Sequence, residues 1–209
     1  MLYSLYGFWQ SSCTWRVRVV LNLKNIRYNY VPINLLEGVQ KQDDYKNLNN
    51  LEQVPTLIGK TFRLTQSMAI IQYLESAHPI PSLTPTDYLL KAKMFEICEI
   101  INSGIQPLQN LSMLKKIKEL GGNPKDFAQE VIRKGFISVE DLVSQHHGKY
   151  CIGNEITIAD AFLIPQINNA LRYGVDMISF PQVMSVLEEL NKVPEIIKAS
   201  PDSKTDAIK

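Results

Sequence analysis

Hydrophobic positions along the chain follow two different periods. Leu2 to Tyr6 and Tyr28 to Ile33 are short, apolar-aromatic runs, the pattern of strands. Between them Val17, Val20 and Leu21 fall at helical spacing. Thr56 to Ile58 and Phe62 to Leu64 flank Gly59-Lys60 and predict a short hairpin. Ile70, Tyr73, Leu74 and Ala77 then recur at i, i+3, i+4 and i+7, so a helix closes this half. The stretch between the second strand and the hairpin gives no clear period. Strand, helix, strand, hairpin and helix in that order predict a small mixed sheet with helices on its faces.

The segment His78-Pro79-Ile80-Pro81-Ser82-Leu83-Thr84-Pro85 holds three prolines in eight residues and cannot continue a helix. The expected organisation is therefore a first domain over 1–78, a linker over 79–86 and a helical domain over 87–209. Met94, Ile97, Cys98, Ile101 and Ile105 form one apolar stripe in the latter. Ile132, Phe136, Val139 and Val143 form a second, and Gly121-Gly122-Asn123-Pro124 separates the two. Pro201 to Lys209 is polar and expected to fray.

Composition narrows the function classes. The chain has 209 residues, 45% of them apolar and 21% charged, the balance of a globular protein with a real core. A net charge of +1 supplies no basic field for nucleic acid or an anionic membrane surface. No apolar run reaches the length of a membrane span, and MLYSLYGFWQ lacks a basic start and an apolar signal core. Cys13, Cys98 and Cys151 are few, odd in number and scattered, unlike a secreted disulfide framework. The expectation is a reducing, cytoplasmic setting.

Candidate chemistry gathers at helix starts. Ser11-Ser12-Cys13 lies between the first strand and the first helix, where a serine hydroxyl caps a free first-turn amide. The same place favours anions and lowers the pKa of a thiol, so capping and sulfur activation both fit. Cys13 has no CxxC partner, which weakens a dithiol redox role. Val54-Pro55 reads as a loop before the hairpin or, if cis, as an edge that pairs with a peptide-like ligand. Ser67 in Gln66-Ser67 reads as an N-cap or, with Gln66, as a carboxylate site at a helix start. Thr157-Ile158-Ala159-Asp160 fits a capping box, and Pro165 within that helix predicts a kink. His146-His147 has no cluster of further ligands, so no metal is expected.

Together these features resemble the cytosolic glutathione transferases, with a thioredoxin-like α/β N-terminal domain and an all-α C-terminal domain. The string Ser11-Ser12-Cys13-Thr14-Trp15-Arg16-Val17-Arg18 is similar to the signature of the zeta class, also called maleylacetoacetate isomerases. Val31-Pro32-Ile33-Asn34-Leu35, Gln53-Val54-Pro55-Thr56-Leu57, Gln66-Ser67-Met68-Ala69-Ile70-Ile71 and Gly104-Ile105-Gln106-Pro107-Leu108-Gln109-Asn110-Leu111-Ser112 follow the class pattern as well. The resemblance covers nearly the whole chain. Two departures stand out: the loop between Leu36 and Gln40 looks short, and Asn50 stands where a proline commonly follows the asparagine.

The resemblance implies glutathione as cofactor, with Ser11 holding and activating its sulfur and Ser12 and Cys13 beside it. It implies that Gln40, Val54, Gln66 and Ser67 bind the tripeptide backbone and its γ-glutamyl carboxylate. Gln106, Asn110, Leu111 and Ser112 would be contributed by the helical domain. Arg172 matches an arginine facing an acidic substrate, with a surface cation at a helix end as the alternative. Arg16 is a second candidate for a substrate carboxylate, or a structural partner within the first helix. The implied reaction is cis-trans isomerisation of maleylacetoacetate to fumarylacetoacetate by transient thiolate addition, in tyrosine and phenylalanine catabolism. The partners implied are a small dicarboxylate and a second copy of the chain, with neither nucleic acid nor membrane. Alternatives are transfer or dehalogenation of small α-halo acids, a non-catalytic glutathione-binding protein, and a thiol oxidoreductase using Cys13.

Overall fold

A computed structural model describes residues 3–203. Leu2 of the first expected strand and 204–209 of the expected frayed tail lie outside the described residues. Contacts divide the chain into two compact units, one made of Met1–Pro81 with Val193–Lys209 and the other of Ser82–Lys192.

The first unit is built on a four-stranded sheet in the order β2-β1-β3-β4. Its strands are β1 (Tyr3–Gly7), β2 (Tyr28–Pro32), β3 (Thr56–Ile58) and β4 (Arg63–Thr65). β1 and β2 run parallel, with Leu5 opposite Tyr30, and α1 (Ser12–Leu23) makes the crossover between them. β3 lies antiparallel to both β1 and β4, with Leu57 opposite Leu5 and Leu64. The region without a clear period forms a 3-10 turn over Val39–Lys41 and α2 (Asp43–Lys46).

α3 (Ser67–Ala77) closes this part of the unit. Its buried side is Ile70, Ile71 and Leu74, whereas the expected Tyr73 is half-buried and Ala77 exposed. Val17, Val20 and Leu21 of α1 are fully buried, each such side chain stabilising the fold by about 1.5–3 kcal/mol. At the end of β1, a Cβ on Gly7 would collide with the Thr14 side chain. A glycine there lets the strand end close against the first turn of α1, which places Ser11 to Cys13 just beyond the C-terminal end of the central strand β1.

The second unit is helical: α4 (Tyr88–Glu99), α5 (Gln106–Gln109), α6 (Leu111–Glu119), α7 (Pro124–His146), α8 (Ile158–Tyr173) and α9 (Pro181–Leu190). A π-helical segment, Ile100–Ile105, joins α4 to α5. The two apolar stripes predicted from the sequence are buried together with Phe162 in its core. α7 approaches the π-helical segment so closely that a Cβ on Gly135 would overlap the Ile105 side chain. α8 runs through Pro165 without an interruption in its helical assignment.

The first unit also takes in a C-terminal segment. α10 (Pro194–Ala199) belongs to the first unit. There Asn22 Nδ2 donates to the Glu195 carbonyl at 2.9 Å, and the buried Arg18 donates to the carbonyls of Ala199 and Trp9 at 2.9 and 3.0 Å. The physical reason is the burial of Arg18: a guanidinium with no access to water must find acceptors, and the end of α10 supplies one.

Candidate active site

Ser11 is the N-cap of α1, with φ −66° and ψ 117°, and its Oγ accepts from the Thr14 amide at 3.2 Å. The cap uses one lone pair of the hydroxyl. Its hydrogen finds no acceptor among the described residues, so the same side chain remains able to donate. Capping and sulfur activation therefore use opposite ends of one group. The first turn of α1 contains no acidic residue, leaving its amides and the positive end of its dipole without an anion of their own. Ser12 is buried, while Cys13 is half-buried and free.

A second helix start lies in the same unit. The N-cap of α3 is Gln66, not the expected Ser67, and Gln66 makes no side-chain cap bond. Gln66 sits at φ +69°, a conformation that costs an ordinary residue about 1–3 kcal/mol. Its side chain is exposed. Ser67, the first helical residue, is only 4% exposed, and its Oγ accepts from Arg16 Nη1 at 3.2 Å. Arg16, one of the two candidates for a substrate carboxylate, is fully buried inside this unit. Its guanidinium donates to the protein's own serine, the geometry of the structural alternative.

The remaining candidates of this unit line the loop before β3. Val54-Pro55 is cis. The loop leading to it is held at the Gln53 carbonyl, which accepts from Tyr45 Oη at 2.6 Å and from the buried Asn49 Nδ2 at 2.7 Å. Burial raises the Tyr45 phenol pKa and so keeps it protonated as a donor. Asn49 also accepts from the Leu51 amide at 3.1 Å, so the turn is closed by an asparagine rather than by a following proline. Gln40 lies in the 3-10 turn, and its Oε1 is buried with no partner among the described residues. Buried acceptors are nearly always used, so Gln40 Oε1 suits an N–H donor of a ligand. The first unit thus offers free helix-start amides, two serine donors and one open amide acceptor, a donor and acceptor set that fits a peptide bearing carboxylates.

The helical unit holds its candidates differently. Asn110 is the N-cap of α6, and its Oδ1 accepts from the Met113 amide at 2.8 Å and from Ser112 Oγ at 2.7 Å. Ser112 and Leu111 are exposed. Gln106 begins α5 and is half-buried. Arg172 is exposed in the last turn of α8, with its guanidinium 5.9 Å from the centroid of the Tyr173 ring.

The sequence did not single out the buried Gln109, which exchanges two hydrogen bonds with Gln166 at 2.9 and 3.2 Å. No spacing signals a pair 57 positions apart.

The expected capping box is present in α8. Asp160 accepts from the Thr157 amide at 2.7 Å, the Thr157 hydroxyl at 2.9 Å and the Cys151 amide at 2.9 Å. Burial pushes the Asp160 carboxyl up, and the Cys151 and Thr157 donors oppose that shift. Burial also raises the Cys151 thiol well above its usual range, which makes this sulfur inert. His147 Nδ1 lies 2.8 Å from the Val143 carbonyl, and among the described residues no group of three or more His, Cys, Asp or Glu is placed to hold a metal ion.

Comparisons with known proteins agree with this geometry. Residues 1–76 match the family described as "Glutathione S-transferase, N-terminal domain", and residues 108–201 match "Glutathione S-transferase, C-terminal domain". A Drosophila melanogaster protein named probable maleylacetoacetate isomerase 2 is 44% identical, over 97% of this chain and 89% of its own length. The Mus musculus maleylacetoacetate isomerase is also 44% identical, over 89% of this chain and 86% of its own. Among solved structures, a bacterial maleyl pyruvate isomerase described as a zeta class glutathione S-transferase superposes with a TM-score of 0.95 at 30% identity, covering 98% of this chain and 100% of that one. A maleylacetoacetate isomerase from Anaeromyxobacter dehalogenans with bound glutathione in its active site gives a TM-score of 0.91 at 35% identity, covering 99% and 98%. The chain belongs to the zeta class of the glutathione transferase family, the class of the maleylacetoacetate isomerases.

Proposed function

We propose that this protein is a glutathione-dependent isomerase that converts maleylacetoacetate to fumarylacetoacetate. The observation that carries the reading is Ser11: a helix cap whose acceptor side is used and whose hydrogen is free, at a helix start without an anion of its own. The identities of its relatives support the substrate class.

Glutathione, when bound, supplies a thiolate that adds reversibly to the alkene carbon and lets a double bond rotate as a single one. Ser11 Oγ holds its cap bond to Thr14 and donates its hydrogen to the sulfur, stabilising the ionised form, while the first-turn amides add their partial positive charge. Gln66 and Ser67 hold the γ-glutamyl carboxylate at the start of α3, and Gln40 and Val54 hold the peptide backbone. Cys13 remains a neighbour of the site. In the helical unit, Gln106, Asn110, Leu111 and Ser112 are the proposed contribution from the α5–α6 region. Arg172 is the proposed partner of a substrate carboxylate, where a guanidinium fork gives two donors to one anion. We place the enzyme in the cytoplasm as a homodimer, and among the described residues no helix is long and apolar enough to cross a membrane.

Isomerisation of maleylacetone with and without glutathione tests the reading. Turnover that requires glutathione and regenerates it is the expected result. A rate independent of glutathione, or retention of glutathione without any turnover, would contradict it.

A further inference from the structure

Three cations of the first unit are buried on or beside α1, and each donates to an acceptor of the protein. Arg18 donates to the carbonyls of Ala199 and Trp9. Lys24, whose side chain is fully buried, donates to the carbonyls of His78 and Pro81 at 2.7 Å each and pairs with Glu75 at 2.7 Å. A carbonyl or carboxylate ends the chain of donors, because neither has a hydrogen to pass on. Arg16 donates to a hydroxyl, that of Ser67, which does have a hydrogen to pass on.

The difference has a chemical consequence. Arginine has five donors and no acceptor, so a hydroxyl bonded to it must accept. One lone pair of the Ser67 oxygen is committed to Arg16, and no other bond of this hydroxyl is found among the described residues, so its hydrogen is available to an outside acceptor. The bond to a charged donor also polarises the O–H group, which strengthens what it donates. The ligand side is consistent with this. The first turn of α3 carries no acidic residue, and its N-cap residue, Gln66, contributes no side-chain bond to the free amides. Ser67 is 4% exposed, so its orientation is not diluted by bulk water.

We infer that Arg16 is a positioning residue that fixes the polarity of the Ser67 hydroxyl, so that the start of α3 presents a donor to the γ-glutamyl carboxylate of glutathione. The inference rests on the proposed glutathione reading and goes beyond it. It assigns Arg16 a role in cofactor discrimination exercised through another side chain, without contact with either ligand.

The test is a double-mutant cycle on binding. Dissociation constants for glutathione and for cysteinylglycine, which lacks the γ-glutamyl group, are measured calorimetrically for the wild type, Arg16→Lys, Ser67→Ala and the double variant, with a melting temperature for each. Lysine keeps a buried donor charge but is shorter and lacks the planar fork, so the variant removes the geometry and not the charge. Arg16→Lys is expected to weaken glutathione by about tenfold and to leave cysteinylglycine within about twofold, the size of a charge-assisted bond to one ligand group. In the Ser67→Ala background the Arg16→Lys effect on glutathione should disappear. Equal losses for both thiols, or additive losses in the double variant, overturn the inference. Should Arg16→Lys fail to fold, Arg16→Gln in protein refolded with glutathione present replaces it, and loss of folding there too overturns the inference in favour of a purely structural arginine. Failure of the wild type to bind glutathione sinks the underlying reading instead, so the two failures are distinguishable.

Discussion

Ser11, the N-cap of α1, and Ser112, two residues past the Asn110 N-cap of α6, are the same residue type near a helix start, yet they spend their hydroxyls in opposite ways. Ser11 accepts from the Thr14 amide and keeps its hydrogen. Ser112 gives its hydrogen to Asn110 Oδ1, which already caps the helix at Met113. In charge α6 is like α1, with no acid in its first turn, and other helices of its unit differ. α7 and α8 place Asp126 and Asp160 in their own first turns, whereas α1 and α3 have no acid there. A helix start that supplies its own anion is finished as a structural element. One without an acid can still be satisfied by another side chain, as Asn110 does for α6 and Glu140 for α9, or be left to favour an anion from outside. Within the first unit it is α1 and α3, not α2 or α10, that lack a first-turn acid and so suit an anionic sulfur and a carboxylate, while Asn110, Asp160 and Glu140 satisfy helix starts of the helical unit.

Substitutions break or sharpen this contrast, and the largest effect is expected at Ser11. Ser11→Ala should lower the isomerisation rate by about 10²–10³-fold, as removal of one preorganised donor does, while glutathione affinity changes little. It also removes the cap of α1, which costs about 1 kcal/mol and is read separately as a lower melting temperature. A rate loss no greater than the loss of folded protein would reduce Ser11 to a cap. Asp160→Asn tests the other side, because it leaves the Cys151 and Thr157 donors poorly matched in a buried place. Chemical denaturation should show a loss of about 3 kcal/mol, with the glutathione constant of the surviving folded protein unchanged.

Smaller effects follow in order. Ser67→Ala should raise the glutathione dissociation constant about tenfold. Arg172→Ala should raise KM for the dicarboxylate several-fold with a smaller change in kcat, and the effect should shrink at high salt because the side chain is exposed. An Arg172 variant with unchanged KM would leave only the contact with Tyr173 and the helix dipole as its role. Ser112→Ala should cost about 0.5 kcal/mol in stability and weaken glutathione less than Ser67→Ala does. The reverse ranking would mean that the Ser112 hydrogen leaves Asn110 for the ligand.

Most of the framework was legible in the sequence because it depends on local rules. Leu5, Leu57 and the Val17-Val20-Leu21 stripe carry a period that survives folding. Ser11 and Thr157-Asp160 announce helix starts because capping needs a hydroxyl or a carboxylate within three residues. The rest depends on pairs that no local window spans. Arg16 and Ser67 lie 51 positions apart, so the sequence showed an arginine beside a serine motif and left open a contact with substrate. The same holds for Arg18 with Ala199, 181 positions apart, a bond between α1 and α10 within the first unit. Ser67 itself was read as a cap because serine favours that place. The structure moves the cap to Gln66 at a positive φ and gives the serine to Arg16.

The most direct test of the proposed role of Ser11 is the ionisation of enzyme-bound glutathione, followed by thiolate absorbance against pH in the wild type and in Ser11→Ala. A hydroxyl that caps with its lone pair and donates with its hydrogen predicts a thiolate in the wild type at a pH lower by at least about one unit than in the variant. Coincident titration curves, with both proteins saturated by glutathione, would contradict it.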